Sequence, residues 1–304
     1  MVGARLTALR HALVVHAPPW PWVCLTLIAV AELLSSGPSP RAGVLLHGAL
    51  LAALIAGSCL LHGEPNRTLA LTLALAPLIR LLSFSMPLSR LPQIVWYPII
   101  GAPLVLAAGI VLGQTRLPRA AVGLRLGSLP VQLAVASCGF SLGAVEFAIL
   151  RPAPLVESFT LAALILPAIG LLLFTGFVEE LIFRGLLQAA ATRAMGYAGL
   201  YFVALLFAAL HIGYLSVLDA VFVFAVGLLF AYIVLRSGSI LGVTLAHGLT
   251  NIMLFLVLPH LAANPDHPLA PVASAAAWLG AAALVAALAA MSRTPPRAGA
   301  RHTP

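Results

Sequence analysis

The sequence contains no lysine, and charged residues of both signs make up only 8% of its 304 positions. Soluble globular chains carry about 25%, so this chain lacks the material for an ordinary water-exposed surface. It also lacks a basic run interleaved with aromatics, which excludes a nucleic-acid-binding face and reads the net charge of +8 as loop arginines that set topology. Cysteine is scarce. Cys24, Cys59 and Cys138 stand alone inside apolar stretches with no CxxC pair, which excludes a disulfide framework or a thiolate metal site and leaves packing as their role. No HExxH is present, so a helix-borne zinc motif is missing. No GxSG-type serine site is visible, since Gly238-Ser239 falls in the loop-like RSGSILG. Asp219 is the single aspartate inside an apolar segment, so a paired-aspartate site is excluded as well. There are no short alternating segments of the kind a membrane barrel requires. Arg5 and Arg10 precede the first apolar stretch, but no small-residue cleavage pattern follows, and the stretch reads as a retained span. No internal repeat is visible.

What is present is hydrophobic length. Apolar segments fall at 19–36, 43–61, 68–87, 93–113, 129–149, 158–178, 197–214, 217–235, 239–258 and 270–290. Windows near 20 apolar residues are the length of a membrane-spanning helix. The expected fold is therefore all-α: a polytopic transmembrane bundle of about ten helices. Joints rich in Gly and Pro, such as Gly37-Pro38-Ser39-Pro40 and Pro265 to Pro268, separate many of them. Residues 2–16 space Leu6, Leu9 and Leu13 as an interfacial helix does, and a frayed terminus fits equally. The tail at 292–304 reads as disordered. With the N-terminus in the cytoplasm, that side collects Arg5, Arg10, Arg67, Arg116, Arg119, Arg125, Arg193, Arg236, Arg293, Arg297 and Arg301, and the other collects Arg41, Arg90 and Arg151. The asymmetry satisfies the positive-inside rule with both termini inside. Trp20, Trp22, Trp96 and Tyr97 read as interface anchors.

Against this background a few polar residues stand out. FVEELIFRG places Glu179, Glu180 and Arg184 toward the cytoplasmic end of the sixth segment, on a helix expected to continue past Arg184. A charge at mid-bilayer costs about 2.5–3.5 kcal/mol on insertion scales, so such groups pair or face a water-filled cavity. Glu180 and Arg184 are four apart and share an α-helical face, whereas Glu179 points elsewhere. The spacing predicts that Arg184 mainly satisfies Glu180 and leaves Glu179 to hold a water. FAALH then sets Phe207 and His211 four apart, and HGLTN sets His247 and Asn251 four apart on a later helix. Each polar residue alone reads as helix–helix glue; together they suggest chemistry. A carboxylate and an imidazole perform general acid–base work on water, and an imidazole N–H with an amide one turn away supplies oxyanion donors. Glu32, Arg80 and Glu146 read as structural, with Glu32 and Arg80 near helix ends or paired across the early helices.

These three motifs, EELIFR, FAALH and HGLTN, in this order and spacing, resemble the CAAX protease and bacteriocin-processing (CPBP) family of intramembrane endopeptidases, type II CAAX endopeptidase-like. The resemblance covers about 120–258, in the C-terminal half, with GLRLG at 123–127 like the interfacial segment that often precedes the family core. It implies extra N-terminal transmembrane helices at 1–115, a protease core at 120–258 and a C-terminal transmembrane helix at 259–291. It further implies that Glu179 and His211 activate water, that His247 and Asn251 steady the oxyanion, and that Glu180, Arg184 and Phe207 organise the site. No cofactor is required on this reading; a zinc ion, if used, has Glu179, His211 and His247 as its ligands. The implied partners are the lipid bilayer and a membrane-embedded or lipid-modified peptide or protein substrate, with no nucleic acid. The implied location is a bacterial inner membrane, both termini cytoplasmic. Two other classes fit part of the pattern: a proton-coupled transporter, since membrane Glu, His and Arg sets also mark ion pathways, and a non-catalytic scaffold or immunity protein of the same fold.

Overall fold

A computed structural model describes residues 18–293. Among them are ten principal helices and no strand: α1 (Trp20–Ser36), α2 (Pro40–Leu60), α3 (Glu64–Ser85), α4 (Gln93–Thr115), α5 (Leu129–Leu150), α6 (Leu161–Met195), α7 (Ala198–Ala209), α8 (Val217–Ser237), α9 (Leu241–Ala263) and α10 (Leu269–Arg293). Each falls on one of the ten apolar segments. Eight are long and apolar enough to cross a bilayer, and α1 and α7 are shorter. The chain is an integral membrane protein. The candidate interfacial helix at 2–16 and the tail from 294 lie outside the described residues; Ser292 and Arg293 continue α10 rather than beginning the tail. Helix α9 likewise runs beyond 258 to Ala263.

Helix boundaries follow local chemistry. Pro40 opens α2 at a first-turn position, where its missing N–H costs nothing. Thr160 Oγ1 accepts from Ala163 N and caps α6. Gly196, at φ +61, ends α6 in a backbone conformation that disfavours side chains.

Helix α6 is 35 residues long, about 52 Å at 1.5 Å per residue, which exceeds a bilayer core of about 30 Å. It is not α-helical throughout. Wide π turns occupy Leu172–Phe177 and Leu181–Leu187 and flank the short α stretch Val178–Glu180 that carries the glutamate pair. Helix α9 has a third π turn at Met253–Val257, just past Asn251. Such turns occur often at functional sites.

The chain divides into two compact units. The first comprises 1–86, 107–117 and 182–232. In it α1 packs on α2, α2 on α3, and α7 on α1. Trp22 meets Phe202 edge-on, with ring centroids 5.5 Å apart. The second comprises 87–106, 118–181 and 233–304, with α5 packed against both α9 and α10. Its apolar centre includes Leu171, Leu254 and Leu256. The GLRLG segment clasps the start of α9: Arg125 Nε donates to Gly238 O (2.7 Å), and Ile240 N donates to Gly123 O (3.0 Å). Gln132 Oε1 on α5 accepts from Gly242 N at 2.7 Å, satisfying one of the orphan donors of the first turn of α9. That clasp fixes the helix carrying His247 and Asn251.

Candidate active site

The second unit holds Glu179, Glu180, His247 and Asn251; the first holds Arg184, Phe207 and His211.

In the second unit, α6 and α9 touch through glycine. A Cβ on Gly176 would stand 2.8 Å from Thr244 O and 3.0 Å from Gly248 N, so any side chain there forces the helices apart. A Cβ on Gly248 would stand 3.0 Å from Leu172 Cα. Small residues that let membrane helices approach closely in this way bring short polar side chains within reach of each other. One turn beyond that contact, Glu180 Oε1 lies 2.8 Å from His247 Nδ1. The carboxylate accepts, so the Nδ1–H donates. His247 Nε2 then lies 3.9 Å from Glu179 Oε2. The two glutamates differ in environment. Glu180 is fully buried, whereas Glu179 keeps 29% of its side chain exposed. With Nδ1–H committed to Glu180, the ring can donate from Nε2 only when it carries both protons.

Asn251, one turn along α9 from His247, donates Nδ2–H to Thr175 Oγ1 at 2.8 Å. The Thr175 hydroxyl in turn donates to Leu171 O. That relay fixes the amide orientation and assigns Nδ2 as a donor group. Thr175, Gly176 and Gly248 were not singled out from the sequence. Their only signal is a Thr-Gly pair just before the glutamates and a glycine inside HGLTN, small residues in apolar helices.

In the first unit, the Arg184 guanidinium lies over the Phe207 ring at 4.3 Å from its centroid, and 5.6 Å from that of Phe230. Arg184 is almost wholly buried. Phe207 contacts Phe183 at 4.9 Å between centroids and His211 at 4.7 Å, so it separates a buried cation from an imidazole and holds both. His211 Nδ1 lies 2.8 Å from Phe207 O, the carbonyl one turn back, where an Nδ1–H donates to it. His211 follows the end of α7 with φ −97 and ψ 1, in the sparsely populated bridge region where many active-site residues sit. Non-helical backbone at membrane depth requires burial in protein or a cavity to line; His211 is partly exposed.

The four-residue spacing of Glu180 and Arg184 predicts an ion pair on an α-helical face. In α6 that interval enters the π turn at Leu181–Leu187, where hydrogen bonds close from i to i+5. Glu180 meets His247, and the Arg184 guanidinium lies over the Phe207 ring. Among the described residues, no group of three or more His, Cys, Asp and Glu side chains is placed to hold a metal ion, and no step below is routed through one.

Residues 161–253 match the family described as type II CAAX prenyl endopeptidase Rce1-like. The matched stretch includes every candidate residue above, and it supports an intramembrane protease in general. No curated protein and no solved structure matches the chain significantly.

Proposed function

We propose that the Rce1-like domain is an endopeptidase that hydrolyses a peptide bond of a membrane-embedded or lipid-modified peptide or protein, using water as nucleophile. The observation that carries this reading is the carboxylate–imidazole contact between α6 and α9: buried Glu180 holds the His247 ring at 2.8 Å, beside a Glu179 carboxylate that stays partly open. A structural pair needs one carboxylate. The second one, left accessible, is the group that can meet water and substrate.

In the proposed reaction, Glu179 and His211 activate water. Glu179 accepts the proton as the oxygen attacks the scissile carbonyl carbon. The negative charge that develops on the carbonyl oxygen is met by the Asn251 amide and by doubly protonated His247. Collapse of the tetrahedral intermediate breaks the C–N bond, and the proton held by Glu179 passes to the leaving amine. Atoms balance as peptide plus water giving acid plus amine, with no covalent enzyme intermediate and no metal. Glu180, Arg184 and Phe207 organise the set. The loop bias of arginine supports a cytoplasmic placement of both termini, and we propose a bacterial inner membrane as the location.

The test uses the full chain in lipid vesicles with a farnesylated, quenched-fluorescent peptide ending in cysteine and three further residues. Cleavage in oxygen-labelled water is expected to place one labelled oxygen in the new carboxyl group. Equal turnover by wild type and Glu179→Gln sinks the mechanism. Cleavage that stops on metal chelation and returns with zinc assigns the reaction to an ion instead.

A further inference from the structure

Helices α1–α3 lie outside the matched stretch, yet they contain a complete charge cluster. Glu32 on α1 is fully buried. Arg80 on α3 grips it with both arms of its guanidinium: Nε donates to Oε1 at 2.5 Å and Nη2 donates to Oε2. His47 on α2, also fully buried, brings Nε2 to 3.1 Å from Glu32 Oε1, out of line for a full hydrogen bond. The Arg80 guanidinium lies 4.8 Å from the centre of the Phe84 ring.

A staple for three helices does not call for such a cluster. A buried ion pair adds little net stability over apolar residues of similar volume, because desolvation offsets the attraction. What it supplies is a fixed position. The 3-10 turn Ile212–Tyr214, which directly follows His211, packs against α1. Within that turn a Cβ on Gly213 would stand 3.4 Å from Arg80 Nη2 and 3.4 Å from Ser36 Oγ. The guanidinium therefore lies beside the backbone two residues past His211, at the distance where an added methyl group would touch it. The same segment needs holding. His211 is in the bridge region, and Leu215 takes φ +54, a left-handed conformation that costs a branched side chain energy unless its surroundings impose it. Tyr214 stacks on His211 with centroids 6.0 Å apart, so the turn and the imidazole form one packed piece.

We infer that Glu32, Arg80 and His47 are positioning residues: the N-terminal helices present a rigid guanidinium on which the turn after His211 is seated, and through that turn they set the placement of the His211 imidazole. The consequence for proteolysis rests on the reading of His211 as part of the water-activating pair. The seating itself does not. On this account α1–α3 are a working part of the site, and a chain trimmed to the matched domain lacks the support for one of its two water-activating groups.

The experiment uses the full chain in phosphatidylcholine–phosphatidylglycerol vesicles. Carbethoxylation of His211 is followed by peptide mass spectrometry against exposed His62 as internal reference. The double substitution Glu32→Met with Arg80→Leu removes the charges and keeps an apolar core. It is expected to change the His211-to-His62 rate ratio several-fold, and to lower kcat on the farnesylated peptide about tenfold to a hundredfold with KM little changed. Arg80→Lys keeps the charge but not the fork and is expected to restore the ratio part of the way. Gly213→Val keeps all three cluster residues, adds branched bulk between the turn and the guanidinium, and is expected to change the ratio too. It decides the matter if the double variant does not accumulate. An unchanged ratio in these variants overturns the inference. A changed ratio in a protein whose wild type cleaves no peptide upholds the positioning and removes the protease reading.

Discussion

Carboxylates meet imidazoles at two places among the described residues, and the two are finished differently. In the first unit, Glu32 receives both arms of Arg80 and the edge of His47, and all of its surface is buried. Nothing is left over to meet a ligand. In the second unit, the work is divided between neighbours in sequence. Glu180 is buried against His247, while Glu179, 3.9 Å from the other ring nitrogen, keeps 29% of its side chain exposed. The same residue types thus serve opposite ends. A buried carboxylate bonded through both oxygens to a guanidinium is sealed from ligands and acts as a fixed point. A carboxylate pair in which one member is buried against an imidazole and the other reaches the surface has a fixed point and, on the proposed reading, a reactive group. Doubling the glutamate is what lets one helix supply both.

The comparison is broken most sharply by the same substitution at both places. Glu179→Gln removes the proposed base without disturbing packing, and cleavage is expected to fall by about 10²–10⁴-fold while thermal unfolding in detergent stays as in wild type. Glu32→Gln weakens the pair that neutralises Arg80, and the effect is expected to appear in stability. Complete loss of one partner of a buried pair costs about 3–5 kcal/mol, the upper bound here, whereas the Glu32→Met, Arg80→Leu double variant is expected to unfold near the wild-type temperature. If Glu179→Gln unfolds the protein and Glu32→Gln leaves its stability untouched, the assignment of roles is reversed. Next in size is Asn251→Ala, expected to lower kcat by about 10²–10³-fold, as loss of one oxyanion donor does, with substrate binding little affected; steady-state kinetics separate the two. Gly176→Ala inserts a methyl group where Thr244 O and Gly248 N leave no room. Overpacking costs about 1–3 kcal/mol, and the separation of α6 from α9 is expected to lower turnover as well, readable as a shifted unfolding midpoint together with a reduced kcat. Smallest is Thr175→Val, which keeps volume but removes the hydroxyl that orients the Asn251 amide. A modest fall in kcat is expected, and a double-mutant cycle with Asn251→Ala should show the two effects to be far from additive.

Much of this architecture is legible in the chain. A bilayer core demands long apolar helices, so each of the ten segments appears as an uninterrupted run, and Pro and Gly at the joints mark where the runs stop. Burying a charge in such a chain is costly enough that a cluster of ionisable residues inside a run draws attention, which is how Glu179, Glu180 and Arg184 emerge from the sequence, with His211 and His247 joining them by their place in the later motifs. Glu32 and Arg80 emerge the same way, with pairing as one of two outcomes, and they pair. His47 does not emerge, because a lone histidine in an apolar helix has too many ordinary explanations. Thr175, Gly176 and Gly248 do not emerge either, because small residues are common in membrane helices and nothing local distinguishes those at a close crossing.

The sequence by itself determined that this is a membrane protein, that about ten helices build it, as the described residues show, and which polar side chains must find partners among them. Those follow from transfer costs and from composition along one segment at a time. Only the tertiary structure decided who partners whom: Glu180 with His247, Thr175 with Asn251, and Arg80 with Glu32. Partnership between helices depends on their axial register and closest approach, which α6 and α9 set through glycine contacts and π turns. A π turn shifts the angular phase of every residue after it, and a pattern read along the chain carries no sign of where such turns fall.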